Sequence, residues 1–276
     1  MAGHNFLLPE GLIWDHVTST FLFVDIKLKS LYQIDNKDCL EVTKLHTFDE
    51  SISFIHPINK EDILCGMKSG LMIFNRESKK TNYICKVQKK DFRLNDGLVD
   101  KNNIVWFGTM HEDDALISEE NKGAFYSFCL NNKNLVEEDS SYLVPNGPIV
   151  SSDYKWIYHS DSYKGIIYKY KYSKQNLNLQ DKEVFIDCND FSDNRASPDG
   201  MTIDKNGNIV VAMWGIGEVW TVSQLCNKKI LNKVKIPGEN VTNVCFDSPK
   251  MNRLLVTYAA SKSSNGGVYE IPPYEI

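Results

Sequence analysis

Short runs of aromatic and β-branched residues alternate with polar turn sequences along the whole chain. Residues 21–24 (FLFV), 156–158 (WIY) and 209–211 (IVV) are examples, and they lie between clusters rich in Asn, Asp, Gly, Lys and Ser. Such runs predict β-strands. No long stretch has an apolar period of 3.6 residues, and Asn206-Gly207 is typical of a two-residue hairpin turn. The pattern predicts an all-β protein.

A repeat of about 46 residues underlies this pattern. Residues 11–15 (GLIWD) align with residues 147–151 (GPIVS), and in both segments a Tyr follows 21 residues after the Gly. Further copies begin near residues 53, 97, 200 and 243, so consecutive starts among the six are 42 to 53 residues apart. This length is typical of propeller blades, each of which is too small to bury both of its faces alone.

We therefore expect a six-bladed β-propeller, with four-stranded antiparallel blades around a central channel. Strand-like sequence near both ends, at residues 6–8 and 267–271, would let the termini share one blade and close the ring. The repeat predicts a single domain over residues 1–276 without a linker. The alternative is a β-sandwich or barrel in which the spacing is coincidental.

The residue that precedes each repeat start is polar in five of the six copies. These residues are Glu10, Ile52, Asp96, Asn146, Asp199 and Thr242. Equivalent positions in a propeller lie at one height around the channel, and three carboxylates gathered there are costly without a counter-charge. All-oxygen ligands suit a hard divalent cation. Any one Asn-Gly or Asp-Gly pair taken alone is more simply an ordinary turn.

Five segments resemble the signature sequences of the SMP-30/gluconolactonase/regucalcin-like family, in the same order and over nearly the whole chain. They are LPEG (8–11), RLNDG (93–97), WFGTM (106–110), PNG (145–147) and PDGMT (198–202). The resemblance implies a six-bladed propeller with one divalent metal in its central channel, and hydrolysis of sugar lactones. It also implies that Glu10, Asn146 and Asp199 ligate the metal, with Asp199 as general base or as the group that orients water.

The same resemblance implies a set of substrate-binding residues. Arg93 and Asn95 of the RLNDG segment would hold the substrate. Glu119, four residues before the GAFY strand at 123–126, would contact it from a loop, although Glu120 is adjacent and the loop can be read one residue off. Asp96 is a residue of second rank, expected near the water on the metal side.

The predicted reaction opens an aldono-1,4- or 1,5-lactone to the aldonic acid, with a divalent metal as Lewis acid. Ca²⁺, Mg²⁺, Mn²⁺, Zn²⁺ and Fe²⁺ all suit the donors. Two alternatives stay open: hydrolysis of another ester, such as a phosphotriester or aryl ester, and a non-catalytic calcium- or ligand-binding propeller or scaffold. The polar loop 111–122 is either a lid or a solvated loop, and His159 is expected to be a packing residue.

Charge, hydropathy and cysteine content limit the kinds of partner and the cell compartment that we expect for this protein. Lys and Arg number 31 against 36 Asp and Glu, a net charge of −5, which argues against binding to nucleic acid. No apolar run is long enough for a membrane helix, and the N-terminal sequence lacks a secretory signal pattern. Seven scattered cysteines without a CxxC motif indicate reduced thiols in a cytoplasmic protein. We expect a small sugar lactone as partner, and a monomer or weak homodimer.

Overall fold

Antiparallel β-strands make up almost all regular structure in the computed structural model, which describes residues 5–35, 40–87, 89–172, 179–192, 195–225 and 229–272. The first sixteen strands form four separate four-stranded sheets, in each of which successive strands are neighbours. The first two sheets contain β1 (Pro9–Asp15), β2 (Thr20–Asp25), β3 (Ser30–Ile34), β4 (Val42–Thr47), β5 (Ile52–Pro57), β6 (Asp62–Met67), β7 (Gly70–Asn75) and β8 (Thr81–Lys86). The next two contain β9 (Phe92–Val99), β10 (Ile104–His111), β11 (Gly123–Cys129), β12 (Leu135–Tyr142), β13 (Pro145–Val150), β14 (Trp156–Asp161), β15 (Ile166–Lys171) and β16 (Gln180–Asp187).

The remaining strands share one seven-stranded sheet. They are β17 (Ser197–Ile203), β18 (Ile209–Trp214), β19 (Glu218–Val222), β20 (Ile230–Lys235), β21 (Asn240–Phe246), β22 (Leu254–Ala259) and β23 (Gly267–Ile271). A single residue pair, Trp214 with Asn240, joins β18 to β21. The fold is therefore an all-β propeller with four-stranded antiparallel blades, while the predicted count of six blades stays a prediction because the last two repeats share a sheet.

The first strand of every repeat lies on the inside of the ring. Strand β1 contacts β5, β5 contacts β9, and the series continues through β13, β17 and β21 back to β1. These six strands contain the six repeat starts that the sequence predicted. Each of them also shows a shift in register at that point, where a β-bulge interrupts the ladder with the next strand.

Glycine makes two of these bulges possible. Gly11 and Gly147 adopt φ angles of +56° and +54°, which L-residues with a side chain rarely adopt. A Cβ atom at Gly147 would also lie 2.4 Å from the carbonyl oxygen of Asp199 in the neighbouring inner strand. The glycine therefore lets two inner strands approach each other closely beside the channel.

Apolar side chains fill the space between neighbouring blades. Leu22 and Val24 of the first sheet pack with Ile52, Ile63 and Phe74 of the second, and all five are fully buried. Burial of each such side chain stabilises the fold by roughly 1.5–3 kcal/mol. Ile52, the apolar member of the predicted polar ring, thus belongs to the core and offers no ligand.

The two ends of the described chain meet beside β22 and β23. Phe6 pairs with Gly266 in an antiparallel bridge, and the backbone N–H of Ala260 donates to the carbonyl of Leu7 at 3.0 Å. The Phe6 ring packs edge-on against the ring of Phe23, with centroids 5.3 Å apart. Sequence near the two ends thus contributes to one blade, as predicted. Among the helices of the described residues, none has the length and apolar character needed to cross a bilayer.

Candidate functional site

A cavity of about 310 Å³ opens at one end of the central channel. Five of the residues predicted for the site line it together: Glu10, Arg93, Asn95, Asn146 and Asp199. They lie on β1, β9, β13 and β17, at or next to the bulges of these inner strands. The remaining lining residues are Leu8, Met110, Asp114, Ile117, Val144, Ser162, Tyr163, Arg195, Ser197 and Trp214.

Four buried lining residues, Glu10, Asn95, Asn146 and Asp199, form what we call the floor of the cavity. A chain of hydrogen bonds fixes the two amide groups of this floor. Nδ2 of Asn95 donates to Oδ1 of Asn146 at 2.6 Å and to the carbonyl of Pro145 at 2.9 Å. Nδ2 of Asn146 donates to Oγ of Ser162 at 2.9 Å, and that hydroxyl donates to the carbonyl of Pro198 at 2.7 Å. The chain links three neighbouring blades and directs Oδ1 of Asn146 toward the side where Asn95 lies.

Arg93 enters the cavity as a buried cation. Its Nη1 donates to Oδ1 of Asn95 at 2.6 Å and to the carbonyl of Leu94 at 3.1 Å. Burial lowers the pKa of the Arg93 guanidinium, and nearby acidic groups, Asp114 foremost among them, oppose that change. The two hydrogen bonds at Nη1 leave Nε and Nη2 of the guanidinium for other partners.

Two buried carboxylates face each other across the floor. Glu10 is 7% exposed and Asp199 is 4% exposed. Burial, followed by the charge of Asp96, raises the pKa of Glu10 to about 8. Burial, followed by the charges of Glu10 and Asp96, raises the pKa of Asp199 well above its usual range. Oδ1 of Asp199 is buried and has no hydrogen-bond partner among the described residues. The floor therefore holds acidic groups close together, and the guanidinium of Arg93 offsets their charge only in part.

This donor set fits a hard divalent cation. Glu10 and Asp199 supply carboxylate oxygens, Asn146 supplies an amide oxygen, and the unpartnered Oδ1 of Asp199 is the kind of atom that a cation would satisfy. Among the described residues, no three side chains of His, Cys, Asp and Glu converge as metal ligands. The proposed set needs the amide of Asn146 as its third donor.

Asp96 lies on the opposite side of this floor. Its carboxylate accepts hydrogen bonds from the backbone N–H groups of Gly97 at 2.8 Å and Gly147 at 3.0 Å. Burial raises the pKa of Asp96 to about 6. The side chain lines a second cavity, of about 330 Å³, at the other part of the channel. Asp96 thus supports the bulge that follows Asn146, and it does not line the cavity that holds the other five residues.

Glu119 lies outside both cavities. Its side chain is 64% exposed and forms ion pairs with Lys122 at 2.5 Å and with Lys164 at 3.8 Å. The structure therefore does not bring Glu119 to the other predicted residues, and its contact with substrate stays a prediction. The same loop does reach the cavity, but through Asp114 and Ile117.

Several cavity residues were missed by sequence reasoning. Asp114 belongs to the polar loop that was considered as a lid, and a 3₁₀ helix (Asp114–Leu116) positions it there. Ser162, Tyr163, Arg195 and Trp214 belong to strand ends and loops with no recognisable motif. Only the three-dimensional arrangement of the blades shows that they surround one space.

Two further sequence interpretations concern polar residues near the channel. Thr242 donates through its hydroxyl to the carbonyl of Pro9 at 2.6 Å, so this member of the predicted ring joins two inner strands. His159 is fully buried, and its ring stacks on Phe125 with centroids 3.7 Å apart. It is therefore a packing residue, as predicted, and it does not line the channel cavities.

Comparisons with known proteins cover almost the whole chain. A family model described as the SMP-30/Gluconolactonase/LRE-like region matches residues 8–260. The putative sugar lactone lactonase YvrE of Bacillus subtilis is 24% identical over 270 residues, which are 96% of this chain and 88% of that protein. Human regucalcin is 25% identical over 266 residues, which are 95% of this chain and 87% of that protein. A luciferin-regenerating enzyme of known structure superimposes with a TM-score of 0.89 at 28% identity, covering 97% of this chain and 92% of that one.

Proposed function

Because this chain belongs to the SMP-30/gluconolactonase/LRE-like family, we propose that it is a metal-dependent hydrolase that opens a sugar lactone to its aldonic acid. The observation that carries the proposal is the pair of buried carboxylates, Glu10 and Asp199, with one oxygen of Asp199 unpartnered at the base of a cavity of monosaccharide size. The name of the Bacillus subtilis relative points to the same substrate class.

Glu10, Asn146 and Asp199 would hold one divalent cation: Ca²⁺, Mg²⁺, Mn²⁺, Zn²⁺ or Fe²⁺. Such a cation, when bound, polarises the lactone carbonyl and neutralises the two carboxylates. The hydrogen bonds from Asn95 to Asn146 and from Asn146 to Ser162 keep the amide in one orientation. A donor set held in this way loses little conformational freedom when a ligand arrives.

Asp199 is the residue we assign to the attacking water. Its carboxylate has two oxygens, so one can face the cation while the other accepts a hydrogen bond from water and takes its proton as the water oxygen adds to the carbonyl carbon of the lactone. The bond between that carbon and the ring oxygen then breaks, and the ring oxygen takes the proton that Asp199 had accepted and becomes a hydroxyl group, which returns Asp199 to its carboxylate form. The products are one hydroxyl and one carboxylic acid on a single open chain.

Arg93 would bind oxygen atoms of the substrate. Its guanidinium cannot act as a base, but the N–H groups at Nε and Nη2 are suited to hydroxyl or carbonyl oxygens. Both donor hydrogens of Asn95 are already used inside the protein, so any substrate contact by Asn95 would be through Oδ1, which also accepts from Arg93. We therefore assign Asn95 mainly to positioning Arg93 and Asn146, and keep Asp96 and Glu119 as proposed secondary residues.

We also infer that the ring has six blades within one domain of residues 1–276. The inner strands form a closed series of six, and only one residue pair joins the two halves of the seven-stranded sheet. Cys65, Cys85, Cys129, Cys188 and Cys245 are free thiols, which supports a reducing, cytoplasmic location. Cys39 and Cys226 lie outside the described residues.

Proton release is the direct test of the proposal. The protein is stripped with a chelator, single divalent metals are added back, and acid production is followed in a pH-stat with aldono-1,4- and 1,5-lactones. We expect metal-dependent release that falls by at least about a thousandfold in Asp199→Ala. Asp190→Asn, an exposed carboxylate outside the cavity, is the matched control and should keep full activity.

The outcomes separate the proposed function from its alternatives. Folded, metal-loaded protein that releases acid from no lactone would refute the sugar-lactonase proposal. Activity on aryl esters or phosphotriesters under the same conditions would then assign the site to another ester. A lack of activity on all of these substrates, together with tight metal binding, would assign the molecule to the non-catalytic ligand-binding propellers.

A further inference from the structure

One charged side chain of the active-site cavity has no acidic partner among the residues that the structure describes. Arg93 faces Asp114 and the two floor carboxylates, and these carboxylates would in turn face the proposed cation. Arg195 lines the same cavity, yet no carboxylate of the described residues lies within ion-pair distance of its guanidinium. Within the described part of the chain, Arg195 is therefore a cation of this cavity without a carboxylate partner.

The position of Arg195 is fixed by its surroundings. Its Nη2 donates to the carbonyl oxygen of Tyr163, and its guanidinium lies over the Tyr163 ring, 4.3 Å from the ring centroid. The next residue, Ala196, is fully buried, and β17 begins directly after it at Ser197. A planar guanidinium that is stacked on a ring and anchored through one nitrogen keeps its other N–H groups available in a defined plane.

Arg195 and the floor of the cavity can contact the same ligand. The volume of about 310 Å³ corresponds to roughly ten water molecules. A monosaccharide lactone with one additional charged group has this size. If its carbonyl lies at the floor beside Asp199, the far end of the sugar lies toward the rim. Arg195 is exposed there, and the guanidinium fork matches the oxygens of a carboxylate, sulfate or phosphate group.

We infer that the substrate is a lactone with an anionic oxygen group at the end remote from the ring carbonyl, and that Arg195 is the specificity residue that binds this group. The inference rests on the proposed lactonase function and deepens it by naming the substrate class. Arg195 is remote from the reacting atoms, so it contributes binding that is equal in the ground state and the transition state. Its loss should therefore raise KM and leave kcat nearly unchanged.

The test compares matched neutral and anionic lactones on the metal-loaded protein. D-glucono-1,5-lactone is the neutral probe, and its 6-phosphate, its 6-sulfate and the carboxylate-bearing D-glucaro-1,4-lactone are the anionic probes. We expect Arg195→Gln to lower kcat/KM for the preferred anionic lactone by about tenfold to hundredfold, mainly through KM. Neutral lactone should change by less than about threefold. Arg195→Lys, which keeps the charge without the fork, should lie between the two.

Controls and outcomes follow from the same set of variants. Arg253→Gln removes an arginine that pairs with Glu270 outside the cavity, and it should leave kcat/KM for both neutral and anionic lactones unchanged. The inference is overturned if the wild-type protein shows no preference for any anionic lactone, or if Arg195→Gln lowers activity on neutral and anionic lactones equally. Which anionic probe responds most identifies the group as phosphate, sulfate or carboxylate.

A binding experiment keeps this inference separate from the proposed function. D-glucitol and D-glucitol 6-phosphate contain no lactone and can be titrated calorimetrically into the same protein. Tighter binding of the phosphate that disappears in Arg195→Gln would support the role of Arg195 even if no lactone were hydrolysed. Equal binding of the two polyols, or phosphate binding that survives in Arg195→Gln, would overturn it.

Discussion

Replacement of His159 by leucine should change how stability depends on pH. His159 is fully buried, and neither ring nitrogen has a hydrogen-bond partner in the part of the chain that the structure describes. Burial and the charge of Lys182 hold the pKa of the imidazole well below its usual value of 6.5. Leucine is close to histidine in volume and has no polar atom to desolvate, so it should be accommodated between Phe125 and Tyr142 without an unsatisfied group.

The sign and the size of the effect follow from proton linkage. Below pH 6.5 the unfolded chain binds a proton at His159, whereas the folded chain does not, so the free energy of unfolding of the wild-type protein falls as the pH falls. From pH 7.5 to pH 5.5 this residue alone removes about 1.4 kcal/mol of stability, and leucine removes none. The stability of His159→Leu relative to wild type should therefore rise by that amount over the interval.

Chemical unfolding followed by tryptophan fluorescence at pH 7.5, 6.5 and 5.5 measures this difference. The comparison between the two proteins cancels all other titrating groups, and it does not depend on how well leucine packs, because a packing penalty shifts the whole curve by a constant. His159→Phe, which keeps an aromatic ring beside Phe125, should show the same slope. Stability curves that run parallel to the wild-type curve in both variants would show that the buried imidazole takes up a proton in the folded state, and would refute the reasoning.

Two further predictions concern the cavity and its supporting strands. Asp114→Asn should lower kcat/KM for lactones by about tenfold, because it removes the acidic group that acts most strongly on the guanidinium of Arg93. Glu119→Gln, on the exposed part of the same loop, should change kcat/KM by less than about twofold. Steady-state kinetics of the two variants decides which carboxylate of the loop acts on substrate, and the reverse order would restore the sequence assignment. Gly147→Ala should destabilise the fold by more than about 2 kcal/mol, since its Cβ would add a clash with the carbonyl oxygen of Asp199 to the cost of a positive φ angle. Gly207→Ala has the same kind of φ angle but open space around it, so thermal unfolding should show a loss of only about 1 kcal/mol, and equal losses in the two variants would contradict the close approach of the strands.

Sequence predicted the inner part of the molecule well because the repeat is encoded locally. The Gly that follows Glu10 and the Gly that follows Asn146 mark bulges, and these bulges recur at one place in each blade. Residues at such equivalent places converge on the channel by ring geometry alone. This is why Glu10, Asn146 and Asp199 could be expected to lie at one cavity without coordinates, and why Ile52 could be set aside.

The outer part of the cavity was not predictable in the same way. Asp114 and Glu119 belong to one polar loop, and only the path of that loop decides which of them faces the cavity. Arg195 lies in the connection before β17, where neither spacing nor a motif distinguishes it from a surface arginine. Loop residues meet the site through contacts between distant blades, and a periodic pattern contains no record of those contacts.

The bridge between Phe6 and Gly266 has a consequence for how the chain folds during its synthesis at the ribosome. Asn5 and Asn265, which also bond to each other, are separated by 260 positions, so the ring can close only after almost the whole chain has been synthesised. Until then, the aromatic face formed by Phe6, Phe23 and Tyr32 lacks Leu255, the fully buried partner from the last blade. Long-range pairing of this kind is slow. The nascent chain therefore exposes an apolar face of its first blade until the last blade has been synthesised. The yield of folded protein in the cell should depend on chaperones that cover this face during that time.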